Sequence, residues 1–377
     1  MKQDSKVLII LASPFYLDKG SCVRARSDVI AWSSYFNNVD LLTYPVGNDI
    51  EIKGVNHIRA KIPFYKKTSA GPSLSKIYAD ILLFCKAFCL ILKNKYDVII
   101  GEDFEGAFIA MILSKIFKKK SIYSMHNPLE ETVKPYIKIG IVLKICALFD
   151  KILEKNVNHI VLEREYEYER VKHLYPNKNI AFVPDAFPDE KEKVQGFDEL
   201  KYIFYAGNFK EYQGIDLLLE SFKKYLVENG DDNIHLVLTG NGYEPMERYT
   251  RELGIDDRVI FTGGLSLIQT NYMIYNSLFC LLPRTIDGPP GMKALHYFSQ
   301  GKAILGTVLS CNRKVIEDNR SGLLVNANVK GMSEGLKRMI DNVKLRDRFE
   351  KYIIREGIGK QEKANEAVEK LVNNIKE

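Results

Sequence analysis

The chain contains two successive series of short apolar runs, and each run is followed by a segment with helical periodicity. Runs of this length predict buried strands, and their alternation with helices predicts parallel sheets with crossover connections. The first series of predicted strands comprises residues 6–12, 39–44, 97–101, 121–125, 159–163 and 180–184. The second series comprises residues 202–206, 234–240, 259–263, 278–283, 303–307 and 322–325. We therefore expect an α/β protein with two doubly wound, Rossmann-like domains that face each other across a cleft.

A charged stretch poor in apolar residues, Asp189 to Lys193, separates the two series. A length of 377 residues also favours two hydrophobic cores, since single cores stop growing near about 250–300 residues. We expect the C-terminal helix to pack back toward the N-terminal domain. The predicted segments are an N-terminal domain 1–188, a linker 189–200, a C-terminal domain 201–360 and a C-terminal helix 361–377.

Composition excludes several classes of protein. The net charge of +6 is small for this length, and the basic and aromatic residues do not interleave as in nucleic-acid-binding modules. The six cysteines form no CxxC pair and have no histidine at metal-ligand spacing, so we expect reduced, buried thiols. The N-terminus leads into the first predicted strand without a signal-type apolar segment. We expect a cytoplasmic protein that does not bind nucleic acid.

A predicted strand, loop and helix at 283–307 form the joint most suggestive of ligand binding. Such joints direct backbone N–H groups and the positive end of a helix toward an anion. Arg284 and Lys293 bracket the loop, so they are candidate ligands of a phosphate. Two structural alternatives remain: Lys293 is a solvated charge, or Arg284 pairs with Asp287.

Four segments, in the same order and near the usual spacing, resemble the C-terminal domain of glycosyltransferase family 4. They are 205–220, 236–242, 259–263 and 283–307. In the first half, 95–100 and 123–126 resemble that family's N-terminal domain, and 71–76 with Asp80 resemble a bacterial subgroup. The resemblance implies a GT-B fold. It also implies a retaining, hexosyltransferase-type transfer of a sugar from a nucleotide-sugar donor to a polysaccharide, glycan or lipid-linked acceptor hydroxyl.

The sequence departs from the family pattern where the donor diphosphate binds. Asn208 and Gln213 stand where most members carry an arginine and a lysine. Because charge develops on the leaving diphosphate, we expect Arg284 and Lys293 to replace these two cations. Two family glutamates also have only distant counterparts, Asp287 and His296. The imidazole of His296 either binds a ribose hydroxyl or packs between helix and sheet.

The resemblance further implies which residues act. The donor is expected on the C-terminal domain, the acceptor on the N-terminal domain, and the mechanism is a front-face attack without a metal. His126 is the expected catalytic residue at the donor sugar, and Asp287 is expected to orient sugar hydroxyls. Gly20 and Ser21 either approach the diphosphate or cap a helix. The predicted donor-binding residues are Gly20, Ser21, Gly207, Asn208, Gln213, Gly240, Gly263, Arg284, Gly291, Met292, Lys293 and His296.

Alternatives to a transferase remain open. The altered diphosphate residues suit a catalytically silent GT-B subunit that binds or regulates a partner transferase. The fold also suits an enzyme that isomerises or hydrolyses a nucleotide sugar. In the first half, Glu102, Asp103 and Glu105 either receive an acceptor hydroxyl or form a solvated acidic loop, which is the favoured interpretation.

A membrane contact is the last prediction. Residues 81–92 are apolar except for Lys86, but about 18 Å of helix is too short to cross a bilayer core of about 30 Å. Many lysines of the first half could instead meet anionic lipid headgroups that carry a lipid-linked acceptor. The alternative is a buried core helix under a soluble basic surface.

Overall fold

The structure, a computed structural model, describes residues 3–15, 20–48, 51–66, 73–134, 137, 139–229, 233–288 and 292–376. The chain forms two compact units. The first comprises Met1–Asp185 and Gln361–Glu377, and the second comprises Ala186–Lys360. Residues 189–200 contain no helix or strand and belong to the second unit.

The described part of the first unit contains a parallel seven-stranded sheet with strand order β3-β2-β1-β4-β5-β6-β7. The reversal of order beside β1 is that of a doubly wound fold. The strands are β1 Gln3–Leu11, β2 Phe36–Thr43, β3 Val55–Arg59, β4 Val98–Glu102, β5 Lys120–Met125, β6 His159–Leu162 and β7 Asn179–Phe182. The helices are α1 Gly20–Tyr35, α2 Leu74–Lys93, α3 Asp103–Phe117, α4 Leu129–Val133, α5 Gly140–Asn156, α6 Glu165–Leu174 and, from the C-terminus, α14 Gln361–Lys376.

The central strands are continuous apolar runs because helices cover both faces of the sheet. Residues 7–10 of β1 are fully buried between β2 and β4. On one face, α14 packs against α1. The Tyr35 hydroxyl donates to Asn373 Oδ1 (2.8 Å), and the Gln361 side-chain amide donates to the carbonyl of Ser27 (3.0 Å). These contacts make the C-terminal helix part of the first unit.

The described part of the second unit repeats the same architecture with a parallel six-stranded sheet of order β10-β9-β8-β11-β12-β13. Its strands are β8 Tyr202–Ala206, β9 His235–Thr239, β10 Val259–Gly263, β11 Cys280–Leu282, β12 Ile304–Thr307 and β13 Gly322–Val325. Its helices are α7 Ile215–Asn229, α8 Glu244–Leu253, α9 Leu267–Asn276, α10 Met292–Ser299, α11 Ser310–Arg313, α12 Val329–Asp341 and α13 Val343–Glu356, and a 3₁₀ turn spans Glu211–Gln213.

The two doubly wound sheets confirm the predicted fold class, and each predicted strand overlaps an observed one. Strand β3 was not predicted. It lies at the edge of its sheet, and Asn56, His57 and Arg59 interrupt its apolar residues, so it lacks the apolar run of a central strand.

Two other expectations are wrong. The acidic stretch after β4 is not a loop, because α3 begins at Asp103 and the Glu102 side chain is fully buried. Cys85 and Cys89 are exposed, whereas the other four cysteines are buried. Both exposed thiols lie on α2, a helix with only one buried face. None of the helices in the described ranges is long and apolar enough to span a membrane.

Candidate functional site

Three glycines lie at the carboxyl ends of adjacent strands in the second unit. Gly207, Gly240 and Gly263 have φ angles of 151°, 144° and 71°. The Gly207 amide donates to the carbonyl of Thr239 (2.8 Å), and the Gly240 amide donates to that of Gly263 (2.9 Å). A Cβ at Gly240 would lie 1.9 Å from the Gly207 oxygen, so only glycine fits this close approach of backbones.

Lys293, in the first turn of α10, reaches back to the end of β8. Its Nζ donates to the Tyr205 hydroxyl (2.7 Å) and to Gln213 Oε1 (2.8 Å). The same atom lies 4.3 Å from the centre of the Tyr205 ring. A Cβ at Gly207 would lie 2.1 Å from Nζ, so the missing side chain makes room for the ammonium. Lys293 is therefore not the solvated charge that one interpretation allowed.

Burial, together with the neighbouring Arg284 guanidinium, lowers the pKa of Lys293 to about 7. Arg284 is itself buried, and its guanidinium lies 5.6 Å from the centre of the Tyr212 ring. Within the described part of the chain, Lys293 forms no ion pair with a carboxylate, since its two hydrogen-bond acceptors are neutral. The electrostatics therefore favour an anion at this position.

Asn208 completes this group of side chains. Its backbone carbonyl accepts from the Tyr205 hydroxyl (2.7 Å), and its side-chain amide donates to the Tyr212 hydroxyl (3.3 Å). The residues in family-atypical positions, Asn208 and Gln213, thus lie beside the two cations expected to replace them. We refer to this group as the Lys293 cluster; its members are Tyr205, Asn208, Gln213, Arg284 and Lys293.

Asp287 lies in the loop before α10 and is exposed. Its Oδ1 accepts the amide of Cys311 (2.8 Å), at the start of α11, and that of Gly288 (3.0 Å). The Cys311 amide is the main cause of the lowered pKa of Asp287. Met292 begins α10, and the predicted Gly291 lies outside the described residues. The carboxylate therefore stays ionised and tethers this loop to α11.

His296 is buried on the opposite side of α10 from solvent. Its ring stacks on Phe187 with a centroid distance of 4.4 Å and an interplanar angle of 5°, and burial lowers its pKa to about 3. Its Nε2 lies 2.6 Å from Asn271 Oδ1, an acceptor, so this nitrogen donates. Asn271 in turn donates to the carbonyls of Pro188 and Glu190. These contacts suit the packing interpretation, and the ribose role stays a prediction.

In the first unit, His126 follows β5 and is surrounded by carboxylates. Its Nε2 lies 3.1 Å from Glu102 Oε2, 3.2 Å from Asp28 Oδ2 and 3.5 Å from Glu163 Oε1. On the other side of the ring, Nδ1 lies 3.4 Å from Asp103 Oδ2. We refer to the whole group as the His126 cluster; its members are Arg24, Asp28, Glu102, Asp103, His126, Glu163 and Asp185.

The His126 cluster is buried and rich in negative charge. Burial opposes an imidazolium here, but the carboxylates of Asp103, Asp28 and Glu102 outweigh it and raise the pKa of His126 to about 10. Burial and the Asp28 carboxylate raise the pKa of Glu102 to about 7. Arg24 adds the second positive charge. Its guanidinium contacts Glu163 and lies 2.7 Å from Asp185 Oδ1.

Asp28, His126 and Glu163 also place their ligand-type atoms within 4.8 Å of one another, which is a spacing that a metal ion could use. A divalent ion would have to displace the proton on the His126 imidazolium and compete with Arg24 for Glu163. Protons and the guanidinium already provide compensating positive charge. The chemistry of this donor set therefore favours a protonated network at neutral pH.

Gly20 is the first residue of α1, and residues 16–19 before it lie outside the described residues. Its backbone lies in the positive first turn of a helix, where an anion is favoured. The side chain of Ser21 lies outside the described part of the structure.

The two parallel, doubly wound sheets have the fold of GT-B glycosyltransferase structures. Residues 186–356, nearly the whole second unit, match the model of the family described as Glycosyl transferases group 1. No curated protein sequence matches the chain.

Solved structures are similar over nearly the whole length at low identity. Sucrose-phosphate synthase from Thermosynechococcus elongatus is 14% identical with a TM-score of 0.73, and the match covers 98% of this chain and 99% of that one. Anabaena HepE in complex with UDP is 11% identical with a TM-score of 0.68, over 98% and 100% of the two chains. WaaG, described as a glycosyltransferase of lipopolysaccharide biosynthesis, is 14% identical with a TM-score of 0.62, over 96% and 99%.

Sequence analysis missed Tyr205 and most of the His126 cluster. A usable signal was present, because Glu102 ends β4, Glu163 directly follows β6 and Asp185 follows β7. Carboxylates at the ends of neighbouring parallel strands meet at one edge of a sheet. Arg24 and Asp28, four residues apart on α1, would have been the remaining signal.

Proposed function

We propose that the chain is a retaining glycosyltransferase of the family 4 type. It would transfer a hexose from a nucleotide-sugar donor to a hydroxyl of a polysaccharide, glycan or lipid-linked acceptor. The observation that carries the proposal is the Lys293 cluster, in which the buried Arg284 and the half-buried Lys293 lie at the carboxyl end of a parallel sheet and the start of a helix. It lies in the unit that matches the glycosyltransferase family model.

A diphosphate suits this cluster electrostatically. Burial and the Arg284 guanidinium disfavour the charged form of Lys293, and a nearby anion counteracts both effects. Charge that develops on a leaving diphosphate would be stabilised by donors already held in place by Tyr205 and Gln213. Gly207, Gly240 and Gly263, at the ends of β8, β9 and β10, are proposed to contact the donor through their backbone. At Gly207 the absence of a side chain also lets the Lys293 ammonium reach the end of β8. These points support Arg284 and Lys293 as replacements for the cations absent at Asn208 and Gln213.

UDP-glucose is the first donor to test, because structures of the similar HepE are described with UDP and with UDP-glucose. The Asp287 carboxylate is proposed to orient sugar hydroxyls, since it is ionised and exposed beside the cluster. Backbone groups at Gly20, Ser21, Gly291 and Met292 are proposed to contact the donor phosphates or sugar.

His126 is proposed to contact the donor sugar through Nδ1. Its Nε2 faces three buried carboxylates, whereas the Asp103 side chain opposite Nδ1 is 38% exposed. A sugar hydroxyl could replace that more exposed partner while Glu102 and Asp28 remain beside the ring. The proposed transfer needs no metal, since Arg284, Lys293 and the imidazolium provide the positive charge. Retention would follow from attack on the face that the diphosphate leaves, and NMR of the product's anomeric configuration checks it.

The second candidate is a silent GT-B subunit that regulates a partner transferase. The neutral side chains at Asn208 and Gln213 favour it, because the ordinary diphosphate ligands are absent there. Hydrolysis or isomerisation of a nucleotide sugar is the third candidate. A thermal-shift screen of nucleotide diphosphates and sugars, followed by donor turnover with and without acceptors, separates the three. Acceptor-dependent turnover supports a transferase, acceptor-independent turnover the third candidate, and absence of nucleotide binding the silent subunit.

A further inference from the structure

The outer face of α2 is apolar and exposed. Ala79, Leu83, Ala87 and Ile91 bury the inner face against the first unit's core. The opposite face of the helix carries a continuous exposed stripe. The stripe consists of Leu74, Ile77, Tyr78, Ile81, Cys85, Cys89 and Leu92. Helix α2, for which a buried core helix was one of the two interpretations, therefore buries only one of its faces. Its other face has exposed apolar side chains.

Helix α5 repeats this arrangement. Cys146, Asp150 and Leu153 are among its buried residues, whereas Ile141, Ile145 and Leu148 are exposed on the other side. Their spacing of four and three residues places them on one stripe. Ile139, immediately before the helix, is exposed as well.

The two stripes lie on the same side of the first unit. Helices α2, α3 and α5 connect parallel strands that succeed one another in one direction across the sheet, and such right-handed connections place helices on one face. Helix α3 lies between the other two. Phe88 of α2 contacts Phe117 of α3 (5.2 Å between ring centres), and Phe104 of α3 contacts Phe149 of α5 (6.2 Å).

The exposed charges on α2 and α5 are uniformly positive. The carboxylates of these helices are engaged elsewhere: Asp80 accepts from the Tyr44 hydroxyl, Asp150 accepts the amides of Leu129 and Glu130, and Glu154 pairs with Arg170. Lys76 is also neutralised, by Glu105. The remaining charged residues are Lys86, Lys93, Lys144, Lys151 and Lys155, and all five are exposed.

We infer that this α2–α5 face, formed by the apolar stripes of α2 and α5 and their five exposed lysines, docks on an anionic lipid bilayer. Apolar side chains on a surface helix bury at the boundary of headgroups and acyl chains, and lysines beside them meet anionic headgroups. A second copy of the chain is a poorer fit, because it would bring five lysines against five lysines. The inference does not depend on the transferase reaction, although it would place the first unit beside a lipid-linked acceptor.

Vesicle flotation of the full chain tests the inference. We expect recovery with phosphatidylcholine vesicles to be low and to rise when phosphatidylglycerol is added. High salt should reduce that gain by screening the lysines. Replacing Ile81 and Leu148 with serine removes one apolar side chain from each stripe, and these residues are 59% and 57% exposed. The expected loss of vesicle partitioning is about tenfold, the scale for removing apolar area from an interface.

Matched variants in the second unit control for general hydrophobicity. Val227 and Ile354 are 77% and 62% exposed, and their replacement by serine should leave partitioning unchanged. For charge, Lys86→Gln with Lys144→Gln should weaken binding to phosphatidylglycerol vesicles, whereas Lys330→Gln with Lys337→Gln should not. Circular dichroism melting of every variant shows whether the fold is retained.

The native cysteines provide labelling sites for a second readout. Among the six, Cys85 and Cys89 are exposed and both lie on the α2 stripe. A polarity-sensitive thiol dye should shift its emission to the blue with anionic vesicles, and Cys85→Ser with Cys89→Ser should abolish the signal.

Equal flotation with and without phosphatidylglycerol, or equal losses in the control variants, would overturn the inference. A concentration-dependent dimer that Ile81→Ser with Leu148→Ser dissociates would also overturn it in favour of a second copy.

Discussion

The two units each carry a charged cluster at the carboxyl ends of their strands, and the clusters differ in sign. In the Lys293 cluster, two cations lie close together and the pKa of Lys293 falls to about 7. In the His126 cluster, five carboxylates surround Arg24 and His126, and the pKa of His126 rises to about 10. The same position in the same type of sheet thus favours proton loss in one unit and proton uptake in the other.

The difference separates a cluster whose ammonium has neutral hydrogen-bond partners from a cluster that contains both signs of charge. In the His126 cluster, Arg24 and His126 offset part of the charge of the five carboxylates, and Arg24 pairs directly with Glu163 and Asp185. In the Lys293 cluster, the partners of the ammonium are a phenol and an amide, so an added anion is the natural source of compensation. Breaking each cluster should therefore have different consequences. A broken His126 cluster should cost the fold stability, and a broken Lys293 cluster should cost donor binding.

The largest expected effect is that of Arg24→Met. The substitution keeps most of the side-chain volume but leaves Glu163 and Asp185 without their guanidinium. Removing one partner of a buried ion pair costs about 3–5 kcal/mol, and urea unfolding should show a loss of this size. The loss should shrink as pH falls, because the stranded carboxylates then take up protons.

Arg320→Met is the matched control for that measurement. Arg320 pairs with Glu317 at 2.6 Å, but both side chains are at least half exposed. Its replacement should change the free energy of unfolding by less than about 0.5 kcal/mol. An Arg24→Met variant as stable as the parent would mean that the His126 cluster is not compensated by Arg24.

The next largest effect is expected for Lys293→Met, and it concerns turnover rather than stability. Methionine fills the space beside Gly207 without a buried charge, so the fold should remain intact. If the ammonium stabilises the leaving diphosphate, kcat/KM should fall by the equivalent of about 2–4 kcal/mol. Steady-state kinetics with the donor found in the thermal-shift screen measures this.

A charge swap sharpens that result. Gln213 Oε1 lies 2.8 Å from Lys293 Nζ, so a lysine at position 213 can place its ammonium in nearly the same space. Gln213→Lys in the Lys293→Met background should recover part of the lost activity, and adding Asn208→Arg should recover more. Lys302→Met, elsewhere in the second unit, is the control and should leave kinetics unchanged. Unaltered donor affinity and turnover in Lys293→Met would refute the relocation of the cations.

The sequence predicted the fold and the Lys293 cluster more fully than the His126 cluster, and the reason is physical. Strands and glycine turns depend on local periodicity and backbone geometry, and both can be read from short segments. Arg284 and Lys293 lie at the two ends of one loop in the segment 283–307. Their proximity could therefore be predicted from a short stretch of sequence. That Lys293 folds back onto Tyr205 depends instead on Gly207, which is distant in sequence.

The His126 cluster could not be assembled in the same way. Its residues come from α1, the end of β4, the start of α3 and the segments directly after β5, β6 and β7, and only strand order brings them together. Glu102 and Glu163 are buried, although charged residues are usually exposed. Their burial depends on tertiary packing, which a single sequence does not show. The exposed stripe of α2 was missed similarly, because an apolar helix face is assigned to the core by default.

The pH dependence of donor binding should distinguish the clusters further. Lys293 has a pKa of about 7 when no anion is bound, and an anion favours its charged form. As pH rises above 7, binding must take up a proton, so affinity for UDP-glucose should fall by up to about tenfold per pH unit. The diphosphate of a nucleotide sugar has no proton to lose in this range. The Tyr205 hydroxyl also contacts the ammonium, and burial raises its pKa well above the ordinary value, so it stays protonated in this range. The Arg284 guanidinium is the charged neighbour that opposes the positive charge of Lys293.

Titration calorimetry between about pH 6 and about pH 8, roughly one unit on either side of that pKa, measures the effect. Repeating it in buffers with different ionisation enthalpies should reveal the uptake of about one proton at the alkaline end. Lys293→Met should bind more weakly and with no such pH dependence. A parent affinity that is flat across this range would contradict the account of Lys293 given above.

The smallest expected effect is that of Glu102→Gln, and its sign depends on pH. Glu102 has a pKa of about 7 in the folded chain against an ordinary value of 4.5, so the folded state holds this proton more tightly. The resulting stability is present below pH 4.5 and is lost as pH rises through 7. A glutamine keeps an acceptor for His126 without the charge, so the variant should melt about 2–4 °C above the parent at pH 8. At pH 4, below both pKa values, the two should melt together. Glu334→Gln, an exposed control, should show no pH-dependent difference, and a Glu102→Gln variant that loses stability at pH 8 would mean that the ionised carboxylate is needed to hold the imidazolium.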